Sequence, residues 1–265
     1  VKKRADIILY EKGLVDSREK GKRVIMEGSV FIGNIRVDKP GEKLDENAPI
    51  TIKENPNIYV SRGGLKIEKA INKFNLSLQD KIAMDIGAST GGFTDCMLKN
   101  GASKVFAVDV GYGQLDWKLR TDSRVVVMER TNIRNVTNED IGESIDFISI
   151  DVSFISLRLV LPVAKRLLSE KGEIVALIKP QFEAGKDKVG KKGIIRDSNI
   201  HFDVIKNMMD FCREIDLGIY GLTYSPITGA TGNIEFLIYL KNDFNSVVND
   251  ESILAVIEEA HSTLS

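Results

Sequence analysis

Asp-Ile-Gly-Ala-Ser-Thr-Gly-Gly-Phe-Thr-Asp, residues 85–95, stands between an apolar run at 81–86 and an amphipathic run at 93–101. That order reads as a strand entering a helix through a turn where main chain touches a ligand. Gly87, Gly91 and Gly92 carry no Cβ, so backbone N–H groups can approach a small molecule, and the helix start adds a partial positive field. The turn predicts a nucleotide-type cofactor site.

The turn lacks both the Gly-x-Gly-x-x-Gly of nicotinamide sites and the Gly-x4-Gly-Lys-Ser/Thr of phosphate loops. No lysine follows to neutralise a triphosphate, and Asp85 would repel a pyrophosphate while suiting a cationic head with an amino group. S-adenosylmethionine has both. A second apolar run, 104–108, ends in Asp109, whose carboxylate can accept hydrogen bonds from two ribose hydroxyls. An acid there fits NAD equally, so Asp109 alone does not choose. The expected cofactor contacts are Asp85, Gly87, Ala88, Ser89, Gly91, Gly92, Asp109, Asn132 and Asp151.

From residue 63 onward α and β patterns alternate. A helix at 64–74 precedes strands at 82–86, 104–108, 125–128, 145–150 and 173–178, which predicts a parallel doubly wound sheet. After a helix at 199–213, apolar runs at 219–224 and 234–240 are separated only by the turn-rich 225–233. So short a link allows an antiparallel pair and no crossover helix, and the last strand is placed antiparallel at the sheet's edge.

Ligands of such sheets sit beyond the carboxyl ends of the strands. Asp85, Asp109, Asp151 and Lys179 occupy those ends, Glu235 begins the reversed last strand on the same rim, and Lys66 could join them from the start of the 64–74 helix. Two lysines and two carboxylates around one point suit transfer of a methyl cation to a hydroxyl. A sugar hydroxyl must lose its proton as the bond forms, and a neutral amine can accept it. Free lysine titrates at about 10.4, and a second ammonium or burial lowers that value. Lys179 is therefore assigned as base or hydroxyl activator, Asp151 as its positioner, and Lys66 with Glu235 as the pair that holds the hydroxyl.

Composition narrows the classes. The chain has 265 residues, 43% of them hydrophobic, and no window of about 18 residues free of charge, which disfavours a membrane span. Cys96 and Cys212 form no metal spacing and no disulfide framework, the plain reading being core thiols in a reducing cytoplasm. His201 and His261 lie in separate helical segments and read as surface residues, so no metal set is expected. The net charge of −1 hides two basic patches: eight Lys or Arg against four acids in the first 25 residues, and Lys186, Lys188, Lys191, Lys192 and Arg196 against Asp187 within 186–196. The tail from 243 onward is acidic.

The chain divides near 55–61. Before it lie helical patterns at 4–12 and 17–27, with Asp16 or Ser17 as the second N-cap, then short strand runs at 29–32, 35–37 and 49–53. Arg4-Ala5-Asp6, Ser17-Arg18-Glu19-Lys20-Gly21 and Val37-Asp38-Lys39-Pro40-Gly41 make this segment resemble the alpha-L (ribosomal S4-type) RNA-binding module. That resemblance implies an RNA face at Arg4, Arg18, Lys22 and Arg23.

The whole chain resembles the TlyA family, proteins labelled both haemolysins and ribosomal RNA 2′-O-methyltransferases, whose catalytic part is similar to FtsJ-type enzymes. The resemblance rests on Ser61-Arg62-Gly63-Gly64-Leu65-Lys66, the 87–95 turn, Ile150-Asp151-Val152-Ser153-Phe154-Ile155-Ser156-Leu157, Ile178-Lys179-Pro180-Gln181-Phe182-Glu183 and Gly232-Asn233-Ile234-Glu235. One departure is Ser89-Thr90, where FtsJ-type enzymes tend to have Ala-Pro. The resemblance implies a Lys-Asp-Lys-Glu tetrad at Lys66, Asp151, Lys179 and Glu235, S-adenosylmethionine as cofactor, and a cytidine ribose in ribosomal RNA, within ribosomal subunits, as substrate. The expected fold is α/β: a Rossmann-like methyltransferase sheet over 59–265, mostly parallel with the last strand antiparallel, behind a small α+β alpha-L domain over 1–58.

Arg62, Lys188, Lys191 and Lys192 complete the expected RNA contacts, the last three on a glycine-bearing loop beside the active rim. Phe154 and Phe182 stand where a base could stack but are read as packing residues, and Ser153 or Ser156 as the cap of the following helix. A secreted pore-former would need apolar or amphipathic membrane segments and an export route, none of which the sequence displays. A non-catalytic RNA-binding factor on the same fold is the other alternative, and the intact quartet stands against it.

Overall fold

The computed structural model describes residues 2–26, 28–33, 35–52, 58–190 and 193–264, the Lys186 side chain excepted. Two compact units emerge, Val1–Arg62 and Gly63–Ser265. The sequence reading closes the first domain at 58, whereas contacts assign residues up to Arg62 to it.

The first unit runs β1 (Lys2–Arg4), α1 (Ala5–Glu11), α2 (Arg18–Met26), β2 (Val30–Ile32), β3 (Ile35–Arg36), β4 (Lys43–Asp45) and β5 (Ile50–Ile52). Strands β3-β2-β5 form one antiparallel sheet and β1-β4 a second, shorter one. Ala5, Ile8, Leu9, Val15, Ile25, Val30, Val37 and Ile50 make its core. Ser17 Oγ accepts from Lys20 N at 3.1 Å and so caps α2. Strands β1 and β4 escape the sequence pattern because Lys2-Lys3-Arg4 has no apolar alternation; Lys3 instead pairs with Glu11 at 2.8 Å and Glu46 at 3.4 Å.

The second unit contains α3 (Gly64–Phe74), β6 (Ile82–Ile86), α4 (Gly92–Lys99), β7 (Lys104–Val108), α5 (Trp117–Arg120), β8 (Val125–Met128), α6 (Asn138–Ile141), β9 (Ile145–Ile150), α7 (Leu161–Leu167), β10 (Leu168–Ile178), α8 (Pro180–Glu183), α9 (Ser198–Glu214), β11 (Gly218–Tyr224), β12 (Phe236–Lys241) and α10 (Asp250–Leu264). Its sheet has the order β11-β12-β10-β9-β6-β7-β8, with β12 antiparallel to both neighbours. The order reverses around β6 and β9, the place where open α/β sheets carry ligands.

One expectation fails here: β12 is not at the edge. It is inserted between β11 and β10, with Ile178 opposite Phe236 and Tyr224 opposite Phe236 from the other side. Its run Phe236-Leu237-Ile238-Tyr239-Leu240 is buried throughout, and both of its edges are hydrogen-bonded to a neighbouring strand. The strand left at the edge is β11, which carries Gly218 and Gly221.

The histidine expectation also fails. Helices α9 and α10 pack together, and His201 Nδ1 lies 2.9 Å from His261 Nε2. His201 is 0% exposed, and burial, reinforced by its neighbour His261, pulls its pKa down to about 4, so it is neutral at pH 7. The acidic tail hides a buried stripe, Ile253, Ile257 and Ala260, at the spacing of one helix face. Among the described residues no helix is long and apolar enough to cross a membrane.

Candidate active site

Strand pairing decides which side chains meet. Asp151 N donates to Ile86 O at 2.9 Å, extending the β6–β9 ladder by one step and setting Asp151 beside the glycine turn. The Ile178–Phe236 pair sets Lys179 and Glu235 side by side at the same rim. Lys66 reaches the rim from the first turn of α3.

Lys66 Nζ donates to Glu235 Oε2 at 2.7 Å and lies 3.7 Å from Asp151 Oδ2. Lys179 Nζ is 2.6 Å from Asp151 Oδ1 and donates to Ser153 Oγ at 2.9 Å. The side chains are 10% (Lys66), 9% (Lys179), 3% (Glu235) and 20% (Asp151) exposed, so one cluster holds all four with Asp151 the most open. Burial pushes the Asp151 carboxyl up, but Lys66 and Lys179 outweigh it and hold the group below the usual carboxylate range. Asp151 is thus a firm anion between two amines.

Of the two serines that could cap after β9, Ser153 accepts from Lys179 instead. Ser156 does cap, accepting from Arg158 N at 3.2 Å. Glu183 of α8 accepts from Ser156 Oγ at 2.6 Å and Leu157 N at 2.8 Å, and burial raises its pKa. That carboxyl ties the segment after Asp151 to the segment after Lys179. Between them Phe154, with φ +65°, is 91% exposed and its ring lies 5.1 Å from that of Phe182. Phe154 is therefore not a packing residue.

The glycine turn works differently from expectation. Gly87 N and Ala88 N both donate to Val108 O, at 2.8 and 3.1 Å, and Ser89 N donates to Asp109 Oδ2 at 2.8 Å. These N–H groups are already satisfied by protein. At Gly87 (φ +89°) a Cβ would lie 2.4 Å from Asp151 O, and at Gly91 (φ +94°) 2.2 Å from Leu119 Cδ1. Both glycines permit close packing, Gly87 against the end of β9 and Gly91 against α5.

Asp85 lies just ahead of the same turn. It is 0% exposed, Oδ2 accepts from Thr94 N (2.9 Å) and Thr94 Oγ1 (2.7 Å), and Oδ1 accepts from Ser149 Oγ (3.2 Å). Burial, with Asp151 nearby, raises its pKa to about 7. It braces the start of α4 from inside. Asn132 Oδ1 accepts from Arg134 N at 3.1 Å, capping a short 3-10 turn.

Asp109 does fit a cofactor with a ribose. Its oxygens accept from Ser89 N at 2.8 Å and Gly111 N at 2.7 Å, which fixes the carboxylate while each oxygen keeps a lone pair for a hydroxyl. Gly92 begins α4, whose first turn carries the remaining N–H donors of the turn. Among the described residues no group of three or more His, Cys, Asp or Glu could hold a metal.

The expected RNA contacts divide. In the first unit Arg4 Nε and Nη2 donate to buried Asp6 at 2.9 and 3.1 Å, and Arg18 Nη2 donates to the same carboxylate at 3.3 Å. Burial pushes Asp6 up, yet the two arginines carry it below its ordinary value. Lys22 is 3.7 Å from Glu19, and Arg23 is exposed. Arg62 is half-buried, and burial followed by Arg36 lowers its pKa. Lys188 pairs with Asp203 at 3.2 Å; Lys191 and Lys192 lie outside the described residues.

Known proteins resemble this chain over nearly its whole length. The FtsJ-like methyltransferase profile matches residues 59–242 and the S4 domain profile residues 3–50. "Putative rRNA methyltransferase YqxC" of Bacillus subtilis is 55% identical over 99% of this chain and 95% of its own. "16S/23S rRNA (cytidine-2'-O)-methyltransferase TlyA" of Mycobacterium tuberculosis is 36% identical over 98% of this chain and 97% of its own. Among solved structures, "Putative hemolysin from Streptococcus thermophilus" superposes with a TM-score of 0.80 at 48% identity, covering 99% of this chain and 96% of that one.

Proposed function

The chain belongs to the TlyA family of FtsJ-like methyltransferases with an S4 domain, and from that membership we propose that it methylates the 2′-hydroxyl of a cytidine ribose in ribosomal RNA. The cofactor in this reading is S-adenosylmethionine, the substrate lies within ribosomal subunits, and the place of action is the cytoplasm. The observation that carries the proposal is Lys179 Nζ fixed between Asp151 (2.6 Å) and Ser153 (2.9 Å), in one cluster with the Lys66–Glu235 pair.

S-adenosylmethionine supplies an electrophilic methyl group on a sulfonium. Asp109 would hold the cofactor's ribose, and the start of α4 at Gly92 its amino-acid end. Lys179 would position the RNA hydroxyl and, having first released its own ammonium proton to solvent, would take the hydroxyl proton as the O–CH₃ bond forms and the sulfonium C–S bond breaks to leave a neutral thioether; Asp151 keeps the amine in place. Lys66, held by Glu235, donates to the hydroxyl oxygen and orients it. Phe154, exposed against Phe182, offers a face on which a base can stack. In the first unit Arg4, Arg18, Lys22 and Arg23, and in the second Lys188, Lys191 and Lys192, contact phosphates, which makes binding salt-dependent.

The test is incubation with tritium-methyl S-adenosylmethionine and separated ribosomal subunits, followed by nuclease mapping. Label on a cytidine ribose is the expected result. Label on a base, or no label together with vesicle lysis that survives Lys179→Ala, would overturn the reading.

A further inference from the structure

Asn233 stands two residues before Glu235, is 0% exposed, and makes contacts in two directions. Its Oδ1 accepts from Ile195 N at 2.9 Å and its Nδ2 donates to Gly193 O at 2.8 Å, both in the basic loop at 185–196. Nδ2 also donates to Thr231 Oγ1 at 2.9 Å, and the Asn233 carbonyl accepts from Gly229 N at 2.9 Å, both in the 225–235 segment. One planar amide thus joins the last part of the basic loop to the segment that delivers Glu235. An acceptor and two donors in one rigid plane are what the two exposed ends of backbone require, and among side chains of this size only an amide has them.

The 225–235 segment is folded tightly onto the Glu235 carboxylate. Ser225 N donates to Glu235 O at 2.8 Å, and a Cβ at Gly229 would lie 2.5 Å from Glu235 Oε1. Ile234, between Asn233 and Glu235, is buried. A displacement of the loop at 193–195 therefore has a short, packed route to the carboxylate that holds Lys66 at 2.7 Å. The same loop carries Lys188 and Arg196, charges suited to phosphate.

We propose that Asn233 is a positioning residue through which RNA held by the 185–196 loop sets the Lys66–Glu235 pair. This rests on the methyl-transfer reading above, and it adds that loop engagement changes turnover as well as RNA affinity. Buried polar ties that join two irregular segments are commonly structural, and a purely structural tie would leave loop charge and turnover independent.

The experiment is a double-mutant cycle on the full chain, measuring kcat and KM for ribosomal RNA and Kd for S-adenosylmethionine. The variants are Asn233→Ala, the Lys188→Ala/Arg196→Ala pair, and their combination. Asn233→Ala should lower kcat roughly 10- to 100-fold, the scale expected when a reacting group is displaced rather than removed, and leave cofactor Kd within about twofold. In the wild-type background the loop-charge pair should lower kcat and raise KM. In the Asn233→Ala background it should raise KM only. Asn233→Asp, which keeps the acceptor for Ile195 and loses both donors, serves the same cycle where the alanine variant fails to fold. Equal effects of the loop-charge pair on kcat in both backgrounds, or cofactor affinity lost in step with kcat, would overturn the proposal. Wild-type protein that labels no RNA would instead sink the functional reading beneath it.

Discussion

Asp151 and Asp6 are both carboxylates clamped between two cations, Lys66 and Lys179 in one case, Arg4 and Arg18 in the other. The lysines are 10% and 9% exposed, the arginines 43% and 46%. A lysine amine can give up its proton when the surroundings favour it, whereas a guanidinium stays charged and presents its donors in a fixed fork. The first cluster therefore has the chemistry of a proton acceptor sealed from water. The second has that of a rigid cationic surface, pinned from beneath and open above. On the proposed function, the same local recipe would serve reaction in one unit and phosphate recognition in the other, with exposure of the cations making the difference.

Replacing the sealed cation should have the largest effect. Lys179→Ala is expected to lower methyl transfer by roughly 10²- to 10⁴-fold, the range of a positioned acid or base, with cofactor affinity by calorimetry within a few fold. Lys179→Arg should be as inactive, because the guanidinium keeps its proton; an active arginine variant would erase the contrast between the clusters.

Asp6→Ala should come next. It leaves Arg4 and Arg18 without their shared acceptor and should destabilise the first unit by about 1.5–3 kcal/mol, the scale of hydrogen bonds to charged groups. Exchange of the α1 and α2 amides would report it, with cofactor Kd unchanged.

Asp85 provides a pH test inside the sealed region. Its pKa stands at about 7 in the fold against an ordinary 3.8, so between those values the unfolded chain has lost a proton that the folded one keeps. Stability from this group is full below pH 4 and is lost as pH rises through 7. Thermal unfolding of Asp85→Asn should lack that part of the slope between pH 5 and 8; identical slopes in both proteins would place the charge elsewhere. The smallest effect belongs to Arg18→Ala, which should reduce the slope of log affinity for RNA against log salt by about one, with turnover at saturating RNA unaltered.

The strands at 82–86, 104–108 and 145–150 were legible because burial on both faces leaves uninterrupted apolar runs, and the edge strand at 125–128 because it is a short β-branched run. The rim residues followed from strand order, since a strand's last residue is where its apolar run stops. Contacts made across long stretches of sequence were not legible. Nothing local in β12 says that it will enter between β10 and β11, or that Ser153 will meet Lys179. His201 and His261 looked like surface residues because each was read on its own helix. That Gly87 and Gly91 would pack against Asp151 and Leu119 was not legible either, because those neighbours come from distant parts of the chain.

The insertion of β12 carries a consequence for biosynthesis. Lys66 and Glu235 are 169 residues apart in the chain, and Glu235 is fixed only when β12 docks beside β10. Until then a nascent polypeptide exposes the unpaired flank of β10, an adhesive edge that invites chaperones or aggregation. Chains interrupted before residue 236 would emerge with most of their secondary structure and no assembled quartet, so enzymatic competence arrives late and all at once during translation.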